Sequence, residues 1–124
     1  MHRSRISTIL FDTPEADAAA AFWSAALGVE ARPNDDEPQF TSLPGGIAGL
    51  VTAVQRIDGE PRFHIDMETD DLDAETDRLT ALGAVEVSRW LECRTLRAPG
   101  GHLLCVIPVH SDRAEFEAAA TVWD

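Results

Sequence analysis

A chain that repeats itself folds into repeated units, so self-similarity constrains the fold before any secondary structure is assigned. Here Ala26-Leu27-Gly28 returns as Ala81-Leu82-Gly83, and Pro44-Gly45-Gly46 returns as Pro99-Gly100-Gly101, both 55 positions later. Two tripeptides at one offset in 124 residues mark a duplicated unit of about half the chain.

Both copies read in the same order. In the first, residues 6–12 are β-rich, and Thr13-Pro14 offers an N-cap and a first helical residue. A helix over residues 14–27 then carries Ala16, Ala19, Trp23 and Leu27 on one face and closes at Gly28, the residue that best tolerates a left-handed cap. Short extended pieces follow at 29–32, 39–43 and 47–57. In the second copy residues 62–68 form the strand, and Asp70 or Asp71 caps a helix over 71–82. Leu72, Leu79 and Leu82 form its apolar stripe, the acidic run from Asp70 to Asp77 is its cap and solvated face, and extended segments follow at 85–90, 91–97 and 103–107. The spacing predicts an α+β domain of two tandem βαβββ modules, residues 4–57 and 61–108, forming a curved mixed sheet. Residues 109–124 make a tail whose helical pattern is Phe116, Ala119, Ala120 and Trp123.

Composition narrows the function. Twenty-two acidic groups against ten basic ones give a formal charge of -12, which repels phosphate backbones and anionic lipid surfaces. Nucleic acid and membrane are therefore not expected partners. There is no Lys and no Tyr, which removes a Schiff-base lysine and a tyrosine acid from the mechanisms open to the chain. Cys93 and Cys105 belong to no CxxC pair and read as reduced thiols in or near the core. No apolar run is long enough to span a bilayer and no signal peptide follows Met1, so a cytoplasmic location is expected.

The stretches 22–28, 63–67, 70–83 and 98–102 resemble the vicinal oxygen chelate superfamily, which includes glyoxalase I, extradiol dioxygenases, fosfomycin-resistance enzymes and bleomycin-binding proteins. The resemblance covers about residues 4–108. It implies a paired-module cup, often completed by a second subunit, in which a divalent metal binds substrate through neighbouring oxygens. Its ligands would come from the first and last strand of each module.

Set against that pattern, the ligands thin out. His64 matches the histidine of the fifth strand; its first-strand counterpart falls at Thr8, or near it at Ser7. The eighth-strand carboxylate position is Cys105, and its repeat mate by the 55-residue offset is Leu50. One clear donor remains, so no metal and no other cofactor is expected, although His64 with Cys105 could hold zinc or copper if something else completed the site.

Period-two alternation places Arg62, His64 and Asp66 on one strand face and Phe63, Ile65 and Met67 on the other, beneath a helix. A His beside a carboxylate titrates near neutrality, which makes His64 the candidate catalytic base. The expected ligand-binding set is His64, Asp66, Cys105, Leu50 and Thr8, with Trp90, Glu92 and Arg94 sharing the same face if their strand is continuous. Three readings follow: a small-molecule-binding protein for a mostly apolar or aromatic ligand; a lyase or isomerase using His64 or an incomplete metal site; and a structural or regulatory dimer. A homodimer is expected in each, because short curved strands leave edges and apolar surface uncovered.

Overall fold

The computed structural model describes residues 1–124. The chain forms β1 (His2–Thr13), α1 (Ala16–Leu27), β2 (Arg32–Pro33), β3 (Phe40–Ser42), β4 (Val51–Arg56), β5 (Arg62–Thr69), α2 (Leu72–Ala81), β6 (Val85–Trp90), β7 (Cys93–Arg97), β8 (Leu103–Pro108), α3 (Arg113–Ala119) and β9 (Thr121–Trp123). This is the doubled β-α-β-β-β order that the repeat predicts, with α3 and β9 added. It divides into two compact units, residues 8–64 and residues 1–7 with 65–124.

In the 8–64 unit the strand order is β2-β3-β4-β1, with β1 and β4 parallel and β3 and β4 antiparallel. Alanines dominate α1 and no side chain caps its start, so packing rather than capping holds it. Its predicted face is the observed one: Ala16 and Ala20 are buried with Phe11, Leu43 and Val54, and Ala19, Trp23 and Leu27 pack against them. Leu43 and Val54 are wholly enclosed, each contributing about 1.5–3 kcal/mol of burial. Gly28, at φ 71°, ends the helix in the left-handed conformation. Thr13 is not the cap; its hydroxyl instead accepts from the backbone N–H of Glu15 at 3.1 Å.

In the other unit the order is β9-β1-β5-β8-β7-β6, again with the first and last strands of the module parallel. Asp71 caps α2 by accepting from the N–H of Ala74 at 3.0 Å. Ile65, Met67, Leu72 and Leu79 pack against the buried cluster of Ala84, Leu96, Leu104 and Val106. Three expectations need correction here. Leu82 is 66% exposed because the helix ends before it can turn inward. Glu75, assigned from sequence to the solvated acidic face, is enclosed between His2 and Arg78. Trp123 ends the tail in a strand rather than a helix, its indole donating to Ser4 Oγ at 2.9 Å, while Phe116 of α3 is buried.

Candidate functional site

Asp12 lies at the end of β1 with its side chain wholly enclosed. Its Oδ2 accepts from His64 Nδ1 at 2.5 Å and from Arg62 Nε at 3.2 Å. A carboxylate can only accept, so Nδ1 carries the imidazole proton and the His64 tautomer is fixed. The second oxygen, Oδ1, is buried without a hydrogen-bond partner. A buried acceptor left unmatched costs roughly 1–3 kcal/mol, so Asp12 holds unused capacity for a donor. Sequence reasoning paired His64 with Asp66, two residues away, and missed Asp12; the signal was an acid one residue before the last threonine of the strand, in Asp12-Thr13 as in Glu68-Thr69.

Beside this pair the 8–64 unit has a recess of about 310 Å³ lined by Phe11, Ala19, Trp23 and Phe63, with Asp12 and Arg62 also on its wall. Phe11 meets Trp23 at 4.6 Å between ring centroids and Phe63 edge-on at 5.2 Å. Phe63 was expected beneath a helix, yet it is 60% exposed because it forms this rim. A volume near 300 Å³ with aromatic walls and few polar groups is the usual form of a small-ligand pocket.

The other predicted residues are distributed as follows. Thr8 is buried on β1 opposite Val51, and Ser7 Oγ bonds His110 Nε2 at 2.8 Å. Asp66 and Cys105 are register partners across β5 and β8. Leu50 is displaced: residues 47–50 close a bridge of their own, so β4 starts only at Val51. The equivalent parallel registers are Leu10 with Ala53 and Asp66 with Cys105, which makes Ala53 rather than Leu50 the mate of Cys105. Leu50 instead lines a separate recess with Pro44, Ile47 and Val51. Arg94 parts from Trp90, since a turn at Leu91, with φ 52°, interrupts the assumed strand. Arg94 pairs with Asp73 at 2.7 Å and donates to Thr76, on the α2 side. Trp90 and Glu92 line a third recess.

On β5, His64 and Asp66 alternate onto one face, and Asp66 stands opposite Cys105. Within the unit that holds them, the Asp66 carboxylate and the Cys105 thiol are register partners, more than the single donor expected from sequence, so a metal is possible. A carboxylate with a thiol favours a borderline ion such as zinc over a hard six-coordinate ion that needs more oxygen.

A glyoxalase-like domain model matches residues 8–107. The chain belongs to the glyoxalase-like domain family. No curated protein matches this glyoxalase-like chain significantly in sequence. Among solved structures it is similar to a Mn(II)-bound glyoxalase from Novosphingobium aromaticivorans, at 20% identity and a TM-score of 0.60, covering 93% of this chain and 44% of that one. The chain thus spans less than half of that glyoxalase. It is also similar to a methylmalonyl-CoA epimerase from Mycobacterium tuberculosis, at 18% identity and TM-score 0.53, covering 89% of this chain and 91% of the other. A glyoxalase/bleomycin resistance protein/dioxygenase superfamily member from Vibrio splendidus matches at 16% identity and TM-score 0.53, over 83% and 97% of the two chains. These likenesses establish the α+β glyoxalase-like fold, and no helix in the chain is long and apolar enough to cross a membrane.

Proposed function

We propose that this glyoxalase-like chain binds a mostly apolar, aromatic small molecule that carries one hydrogen-bond donor. The aromatic recess carries the reading: Asp12 and Arg62 lie on its wall, and the enclosed Asp12 side chain leaves one oxygen, Oδ1, unmatched. Trp23 and Phe63 supply large, rigid apolar surface, and a ligand N–H or O–H that enters behind the wall to reach the enclosed Asp12 Oδ1 satisfies an acceptor that the protein leaves unmatched. A ligand that binds only the folded state stabilises it by mass action, by about 2.7 kcal/mol at a hundred times its Kd, and so raises the melting temperature. In a thermal-shift screen, phenols and arylamines should stabilise the protein more than the matching methyl ethers and hydrocarbons. Trp23→Ala should remove the response and His64→Ala should weaken it by roughly 0.5–3 kcal/mol. Equal response to donors and their methylated counterparts refutes the proposal.

A second reading is favoured by the paired His64 and Asp12. Here the chain is a lyase or isomerase in which the Asp12-oriented imidazole moves a proton at Nε2. In the other form of this reading His64 Nε2, with Nδ1 held by Asp12, would be a ligand of a zinc-type ion that supplies Lewis acidity in place of the base. Elemental analysis separates the two readings: about one zinc per chain, lost in His64→Ala, favours the enzyme. We also propose a homodimer, because Phe22, Leu82, Val85 and Val87 leave apolar surface exposed; light scattering at micromolar concentration that gives 13.5 kDa rejects it.

A further inference from the structure

The wall of the aromatic recess in the 8–64 unit carries one cation and one anion, Arg62 and Asp12, and no other charged side chain. The two form half of an ion pair. Arginine and a carboxylate commonly meet through two parallel bonds, but here Arg62 Nε donates to Asp12 Oδ2 at 3.2 Å and the second bond is missing. Asp12 Oδ1 has no hydrogen-bond partner, and the terminal nitrogens of Arg62 donate to nothing within the protein. Each unused group is joined through a single carbon to an atom of the bond that is made, so a free acceptor and free donors flank one contact. Arg62 opens β5 directly after Pro61, and its side chain is half exposed at the recess. Thr13, the remaining polar residue of the wall, already accepts from the Glu15 N–H.

We propose that Arg62 recognises a carbonyl oxygen, so that the polar edge of the ligand is an N–H beside a C=O and the ligand is a neutral aromatic carboxamide or lactam. This rests on the reading above, in which the ligand's donor goes to Asp12 Oδ1, and adds the acceptor next to that donor. The rings lie against Trp23 and Phe63, the N–H goes to Oδ1, and the carbonyl accepts from a terminal N–H of Arg62. Charge decides against the obvious alternative, an aromatic acid. Asp12 balances the Arg62 charge, so a carboxylate placed there meets the attraction of one and the repulsion of the other, inside the field of a chain at -12. A carboxylate also brings no N–H, which leaves Oδ1 unmatched. A neutral amide makes both bonds and meets neither penalty. Because the guanidinium is half in solvent, the carbonyl replaces a water there, and the gain is that of one partly solvated hydrogen bond.

The test measures dissociation constants of the full chain by titration calorimetry for four probes with one ring system: 2-methoxynaphthalene, 2-naphthol, 2-naphthamide and 2-naphthoate. Naphthol should bind more tightly than methoxynaphthalene, as the reading above requires, and naphthamide about three- to tenfold more tightly than naphthol. Naphthoate should bind more weakly than naphthamide. In Arg62→Leu the advantage of naphthamide over naphthol should fall to nothing, and Arg62→Lys, which keeps a donor, should retain part of it. If naphthol beats methoxynaphthalene but naphthamide is no tighter than naphthol, or if naphthoate is the tightest of the four, the amide assignment is overturned while the donor reading stands. If naphthol gains nothing over methoxynaphthalene, both fall. An undiminished naphthamide advantage in Arg62→Leu overturns the role of Arg62. The probe comparisons are read on the wild-type chain, so they do not depend on a variant folding.

Discussion

Asp12 and Glu68 occupy equivalent places at the ends of β1 and β5, one residue before Thr13 and Thr69, and both carboxylates are wholly enclosed, yet they are held differently. Glu68 is fully partnered: Ser111 and Arg5 donate to one oxygen, and the His110 backbone N–H and imidazole meet the other. Burial pushes its carboxyl pKa up, but the hydrogen bonds from Ser111, Arg5 and His110 outweigh this and leave it lowered. Asp12 gathers His64 and Arg62 on one oxygen and leaves the other without a donor. The same position in the two repeats thus serves as a structural anchor in one and keeps an open valence in the other. A duplicated fold can hold one copy for stability while the other is released for binding.

The comparison can be broken at several points. The largest effect should come from Glu68→Ala, which strands Arg5 in a partly buried place and should cost about 3 kcal/mol or more in denaturant unfolding; a loss below 1 kcal/mol would show that Glu68 is no anchor. The same carboxylate sets an acid limb. Because its folded pKa is lowered, the native state binds fewer protons, so its contribution is complete above the ordinary carboxylate value of 4.5 and drains as pH falls through the folded value. Glu68→Gln should therefore flatten the decline of stability below pH 4.5. Asp12→Asn, which keeps shape and removes the charge from a carboxylate already half unsatisfied, should cost less, about 1 kcal/mol, while reducing the stabilisation by phenolic ligands. Arg62→Ala should be smallest, within about 0.5 kcal/mol, since that side chain is 52% exposed and its pair is screened.

Much of the fold was legible in the sequence because glycine and proline constrain backbone geometry locally. Gly28 and Gly83 fixed both helix ends, and the doubled tripeptides fixed the element order. The site was less legible, because strand parity depends on where a strand starts and a short irregularity changes it. The turn at residues 47–50 moved the mate of Cys105 from Leu50 to Ala53, and the Leu91 turn sent Arg94 to Asp73 instead of Trp90. Asp12 was missed for another reason: its partners Arg62 and His64 are 50 and 52 residues away, a pairing no local pattern encodes.

The last strand carries a consequence of its own. Because β9 pairs His2 with Trp123 and Ser4 with Thr121, and Arg78 stacks over the Trp123 ring at 3.7 Å, the first and last residues of the chain lie side by side. The polypeptide is therefore nearly a closed ring. A linker of a few residues could join Asp124 to Met1, and new ends could open at the exposed Asp58-Gly59 bend between the repeats. Such a permutant would run from one repeat, through its own tail, into the other, reversing the order of the copies while keeping every strand pairing.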